Sequence, residues 1–318
     1  MYRAFFQLLS KSRTINSISL YFLYSTRIGK YFDHSKSFIS LRGILFNQLR
    51  MYHKKQLENG SSNDSGTNEK ECNVKKTIVS LPKAEKDITS VAMLAASKIA
   101  NGKIIAVPTD TIYGLACLVQ NASAVQDLYA IKGRHPNKPV SVCVAEIGDI
   151  YQWGEVTVTP DLLEELLPGP VTLCFARKNE LNLEFNPDSS LVGIRIPDHF
   201  FVRELCRKVH SFHGCSSPIA LTSANVSGTD SCLEVHEFAD ILTSLPNNKL
   251  DTIFDGGRLG ETMLSRLGST IIDLSTKGYY KIIRQGSAET NTVKILRKHG
   301  LLEPVSYTHL TLPTICSV

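Results

Sequence analysis

The feature that most constrains this chain is a series of short apolar runs that do not alternate with polar residues. IIAVP (104–108), VSVCVA (140–145), VTLCFAR (171–177), LVGIRIP (191–197), PIALTS (218–223), DTIFD (251–255), STIIDL (269–274) and YKIIR (280–284) are the clearest. A strand with one wet face alternates, so a run apolar at both parities needs cover on both faces. Between these runs lie segments with helical spacing or helical punctuation: 87–102, 121–133, 159–169, 199–212, 233–245 and 292–300. Thr159-Pro160 supplies a cap and a first-turn proline, and Asn101-Gly102 supplies a stop. Strands alternating with helices predict a single α/β domain over residues 81–303.

Charge separates the rest of the chain from that domain. Of 35 Lys/Arg and 30 Asp/Glu, residues 1–55 hold ten and one, which leaves 25 against 29, a net of −4. The basic, Ser-rich, acid-poor residues 1–55 read as a mitochondrial targeting leader, and 56–80 as a flexible polar linker. A mildly acidic body lacks the broad positive footprint that duplex binding needs. No apolar run approaches the ~18–20 residues of a membrane span. The eight cysteines include no Cys-x-x-Cys pair and several sit in strand-like runs, so they read as small buried hydrophobes in a reducing compartment. His210, His213 and Cys215 lack an evident fourth ligand, so no metal site is expected. Residues 304–318 fit neither periodicity and read as a tail of doubtful origin.

The familiar catalytic signatures are missing: no G-x-x-x-x-G-K-[ST], no G-x-G-x-x-G after a strand, no G-x-S-x-G and no H-E-x-x-H. What remains is a set of strand ends that finish in hydroxyls and cations. Thr111 follows IIAVP; Lys132, Arg134 and Lys138 crowd the loop IKGRHPNKP; Arg195 lies inside an apolar strand, where a lone cation is costly unless it meets an anion. Ser223 and Asn225 end PIALTS, and Ser269 and Arg284 flank the last two strands. Such ends can converge on one crevice, where open α/β sheets bind ligands. Taken singly, each stretch reads equally as a solvated loop or a turn.

In their order, PTDTIYGL, KGRxxxKP, PGPVTL, VGIRIPDH, LTSANVSG, LGSTIIDL and IIRQG resemble the YrdC family, the threonylcarbamoyl-AMP synthases, over about residues 85–303. The order is especially similar to the animal YrdC-domain branch, which ends after the catalytic domain. The resemblance implies a YrdC-like domain, a twisted mixed β-sheet with helices packed on it and a concave cationic cleft. It implies a nucleotidyltransferase that makes threonylcarbamoyl-adenylate and pyrophosphate from L-threonine, bicarbonate and ATP with Mg²⁺. The product would serve a downstream tRNA threonylcarbamoyl transferase complex, for modification of tRNA next to the anticodon, with at most weak contact to tRNA itself. Mitochondrion and cytoplasm are the implied compartments.

By motif, Lys132 and Arg134 are implied as catalytic. Thr111, Arg195, Ser223 and Ser269 are implied to hold L-threonine, and Arg134, Lys138, Asn225 and Arg284 to hold ATP. Two positions depart from the family pattern: Cys143 stands where some microbial relatives have histidine, and Gln285 replaces the proline of IIRPG. The alternatives are a carbamoyl-adenylate-forming domain and a non-catalytic module for tRNA or double-stranded RNA. Steep loss of binding between ~50 and 200 mM salt would mark the RNA module.

Overall fold

A computed structural model describes residues 77–133, 139–213, 217–244 and 249–304. Its strands are β1 (Thr77–Ser80), β2 (Ile104–Val107), β3 (Gly114–Leu118), β4 (Ser141–Cys143), β5 (Gly154–Glu155), β6 (Val171–Arg177), β7 (Leu191–Arg195), β8 (Ile219–Ser223), β9 (Leu250–Asp255), β10 (Thr270–Asp273) and β11 (Lys281–Arg284). The helices are α1 (Glu85–Ala100), α2 (Ala122–Lys132), α3 (Ile147–Trp153), α4 (Pro160–Leu166), α5 (Phe200–His213), α6 (Ala239–Ser244) and α7 (Glu289–Lys298). Asn121 caps α2 by accepting the Ala124 N–H at 3.1 Å, and Pro160 opens α4 where a missing N–H costs nothing.

All eleven strands form one mixed sheet, ordered β1-β9-β2-β3-β8-β4-β7-β6-β10-β11, with β5 paired to β6. The non-alternating runs have the expected cause. Ile104 and Ala106 of β2 enter a core with α2, α3, α4 and α7 on one face of the sheet. Ile105 and Val107 enter a second core with α1 and α5 on the other. Phe201, Leu205 and Val209 stand four residues apart on α5 and are fully buried, worth roughly 1.5–3 kcal/mol each. Among the described residues the second core takes nothing from β6, β7, β10 or β11. On that side the apolar layer of α1 and α5 does not extend over these strands.

Several elements differ from the sequence reading. β3 was hidden because GLACL directly follows a turn-like stretch, yet all five of its residues are buried between β2 and β8. β1 takes in four residues placed at the end of the linker; it is an edge strand paired only with β9. The apolar run 140–145 yields a strand of three residues, and α3 follows it unforeseen. The helix expected over 233–245 is broken into a 3-10 turn (Val235–Glu237) and α6. Phe238, at the break, is buried and packs against Tyr113 with ring centroids 5.4 Å apart and the rings tilted by 45°.

Candidate active site

The site starts from one buried cation. Arg195 ends β7 and is 5% exposed. Its Nη2 donates to Thr111 Oγ1 at 2.7 Å and is paired with the Asp110 carboxylate. The second Asp110 oxygen accepts the Asp198 N–H at 3.0 Å. A buried guanidinium needs such partners, because desolvation otherwise costs more than the charge returns. Arg195 Nε is buried and hydrogen-bonds to nothing among the described residues. Thr109 fixes the loop that carries Asp110 and Thr111: its hydroxyl donates to Ile112 O at 2.7 Å and accepts the Thr111 and Ile112 N–H groups. Burial lowers the pKa of the nearby His199 imidazole, with Asp110 opposing.

Strand register extends this cluster sideways. Cys143 of β4 is the partner of Arg195, and the β6–β7 ladder, continued one step beyond Leu173↔Ile194, places Thr172 opposite Arg195. Thr172 pairs with Ile271, which pairs with Arg284. Thr172 Oγ1 lies 2.8 Å from Ser269 Oγ, and Arg284 donates to Ser269 O at 2.7 Å. A Cβ on Gly268 would stand 3.3 Å from both Ile112 Cδ1 and Arg284 Nη2, so this loop abuts the Thr109–Tyr113 loop. Gly286 is held for space: a Cβ there would fall 2.3 Å from Thr270 N, where no side chain fits.

Lys132 closes α2 and is fully buried. Its ammonium donates to Ser223 O at 2.6 Å, to Asn225 Oδ1 at 3.1 Å and to Asn225 O, and so shapes the turn that follows β8. That turn adjoins the Arg195 cluster, since Ser223 pairs with Gly114 and Ala224 N–H donates to Tyr113 O at 2.8 Å. Tyr113 in turn donates to Gly257 O at 2.8 Å. Burial raises its phenol above the ordinary value, so it remains a neutral strut.

The 3-10 turn Met263–Leu267 leads into Ser269 and is anchored from outside. Arg266 grips both oxygens of Glu237 at 2.8 Å. The guanidinium lowers the Glu237 carboxyl from 4.5 to about 2, against the opposing effect of burial. A depressed carboxyl pKa gives stability that is complete above the ordinary value and is lost as pH falls through the folded one. The stability gap between wild type and Glu237→Gln should therefore shrink between pH 4.5 and about 2 in acid-denaturation curves. A gap that stays constant would remove the ion pair as the anchor.

Of the residues expected at the site, Thr111 and Arg195 touch directly, Lys132, Ser223 and Asn225 form one turn, and Ser269 and Arg284 form a third group beside Thr172. Arg284 is exposed, whereas Thr111, Lys132, Arg195, Asn225 and Ser269 are buried. Arg134 and Lys138 lie outside the described residues, as does Cys215. Asp110 and Thr172 lie inside the motifs PTDTIYGL and PGPVTL, which do not by themselves show what either residue meets. The TDT and VTL stretches were the signals, but only the sheet register pairs them with Arg195 and Ser269. The described cysteines, Cys117, Cys143, Cys174, Cys206 and Cys232, are all free and buried. Among the described residues, no three His, Cys, Asp or Glu side chains gather as a metal cage, and no helix is long and apolar enough to cross a membrane.

The chain is similar in sequence and in fold to proteins of one family. The sequence pattern of the Sua5/YciO/YrdC family, described as "Telomere recombination", matches residues 97–286. Mouse threonylcarbamoyl-AMP synthase is 45% identical over 217 residues, which is 67% of this chain and 74% of the mouse protein. The human protein of the same name is 44% identical over the same shares. The crystal structure of Pyrococcus abyssi Sua5 complexed with L-threonine superposes with a TM-score of 0.51 at 28% identity, over 62% of this chain and 54% of the archaeal one. This chain thus spans about half the length of that archaeal structure. With the pattern covering more than half of its residues and the mammalian relatives matched over most of their length, the chain belongs to the Sua5/YciO/YrdC family.

Proposed function

We propose that this chain is a threonylcarbamoyl-AMP synthase, a nucleotidyltransferase that joins L-threonine, bicarbonate and ATP and releases pyrophosphate and water. The observation that carries the reading is Arg195, a buried guanidinium beside the Thr111 hydroxyl, with an Nε that has no partner among the described residues. In this reading Arg195 receives the threonine carboxylate, and Thr111, Ser223 and Ser269 hold its hydroxyl and amine. The amine and bicarbonate give a carbamate, whose carboxylate attacks the α-phosphorus. That nucleophile is already anionic, so the protein's task is to position the reactants and to neutralise charge on the α-phosphate and departing pyrophosphate. Lys132 holds the Ser223–Asn225 turn and lends its charge, and Arg134, Lys138, Asn225 and Arg284 meet the phosphates.

Mg²⁺ enters as part of the ATP substrate, held chiefly by the phosphates. Bicarbonate would sit between the threonine amine and the α-phosphate. The product then passes to a transferase complex acting on tRNA, with residues 1–55 directing part of the protein to mitochondria and the remainder staying in the cytoplasm.

The test is pyrophosphate release from the purified chain with each substrate omitted in turn. Release should require all three, and release that ignores threonine would overturn the proposal. Arg134→Ala should lower the rate by about 100-fold or more while the chain stays folded. A near-normal rate in that variant would take Arg134 out of the phosphate clamp.

A further inference from the structure

Two thiols the proposed reaction does not use face each other behind the Arg195 cluster. Cys143 Sγ of β4 and Cys206 Sγ of α5 lie 3.6 Å apart, in contact and unbonded. Both are buried, at 1% and 6% exposure. They share one wall of a pocket of about 250 Å³, also lined by Glu146, Asp149, Arg207 and His210, which is large enough to admit a small solute. Each thiol is tied to the proposed threonine seat by a separate route. Cys143 is the register partner of Arg195, and the next residue, Val144, donates its N–H to Arg195 O at 3.1 Å. Cys206 belongs to the helix that Asp198 leads into, and the Asp198 N–H holds Asp110, the ion-pair partner of Arg195.

We propose that Cys143 and Cys206 form a redox-active dithiol, that a small hydroperoxide entering this pocket oxidises it to an intramolecular disulfide, and that closure weakens the Arg195 seat for threonine. The second half rests on the function proposed above; the first does not. Cys206, the more exposed residue of the two, attacks the O–O bond through its sulfur and becomes a sulfenic acid while one water leaves. The Cys143 sulfur then displaces the hydroxyl from that sulfenic acid, the S–S bond forms and a second water leaves. Two thiols lose two electrons and two protons, and hydrogen peroxide is reduced to two waters. Contact with Cys143 and burial both raise the Cys206 thiol above its ordinary pKa. Thiolate is therefore scarce at neutral pH, and closure is slow and needs sustained peroxide. Bond formation draws α5 and β4 together, moving β4 against its partner Arg195 and the Asp198 lead-in of α5 against Asp110, and the short hydrogen bonds of that cluster weaken steeply with displacement.

The full chain, purified and reduced, is exposed to hydrogen peroxide, alkylated and digested for mass spectrometry. The expected result is a Cys143–Cys206 crosslinked peptide about 2 Da lighter than the two reduced peptides together. Dithiothreitol should reverse it. Calorimetry on the oxidised chain should show L-threonine bound about tenfold more weakly, the cost of disturbing one charge-assisted contact. Cys206→Ala should keep its threonine affinity through the same treatment. Full alkylation of both thiols after sustained peroxide would overturn the dithiol. Unchanged threonine affinity in a fully crosslinked chain would overturn the coupling. A reduced chain that binds no threonine would instead count against the proposed function and the coupling built on it, and the crosslink would then decide the dithiol alone.

Discussion

Arg195→Ala should abolish measurable L-threonine binding and lower the melting temperature by about 10 °C. The two effects have separate causes. Removing the guanidinium removes the proposed carboxylate receptor, and it also leaves the largely buried Asp110 carboxylate, 9% exposed, with one backbone N–H among the described residues. Breaking a buried pair from one side costs roughly 3–5 kcal/mol, and each kcal/mol shifts the midpoint of a domain this size by about 2–4 °C. A double variant separates the causes: Arg195→Met with Asp110→Asn removes both charges and should recover most of the stability but none of the threonine binding. Calorimetry with threonine and thermal melts of the three proteins are sufficient. Wild-type threonine affinity in either variant would take Arg195 out of the site, and an unchanged midpoint in the single variant would mean that the pair is worth little.

Lys132→Met should be the second severe substitution. Methionine fills nearly the same volume, so the loss is chiefly the charge and its hydrogen bonds. Ser223 O and Asn225 O would lose a buried donor, at roughly 1–3 kcal/mol for each unsatisfied group. The Ser223–Asn225 turn, no longer gathered on the ammonium, should open. Pyrophosphate release should fall by about 100-fold or more, with most of the loss in kcat rather than in KM for threonine. Arginine should not rescue it, because Lys132 is fully buried and a planar guanidinium is bulkier than the ammonium it would replace. A Lys132→Met chain that melts early but turns over at the wild-type rate would reduce Lys132 to a structural role.

The site itself was only partly legible in the sequence. The cationic and hydroxyl strand ends were visible as residue types out of place in apolar surroundings, Arg195 most clearly, because a charge inside a strand run demands an anion. The partner was not visible, because Asp110 lies 85 residues away and reaches Arg195 only once the β2–β3 loop is folded. Thr172 was read as an ordinary strand residue, since a hydroxyl there is unremarkable until register sets it beside Arg195 and Ser269. Lys132 stands in the sequence as one of three cations crowding a loop, because nothing local shows that the carbonyls of residues 223 and 225 will surround it.

What the sequence determined by itself was the class and the layering. Apolar runs at both parities require cover on two faces, and intervening helical segments supply it, so a doubly covered sheet follows from burial alone. What only the tertiary structure decided was where that cover ends. The second helical layer, α1 and α5, stops at β4, and beyond it Arg195 of β7, Thr172 of β6 and Arg284 of β11 fall into one row, the last carried there by pairing between β6 and β10, which lie far apart in the chain. Local periodicity reports which face of a strand is buried but carries no term for strand order or register, and order and register are what bring these polar groups together.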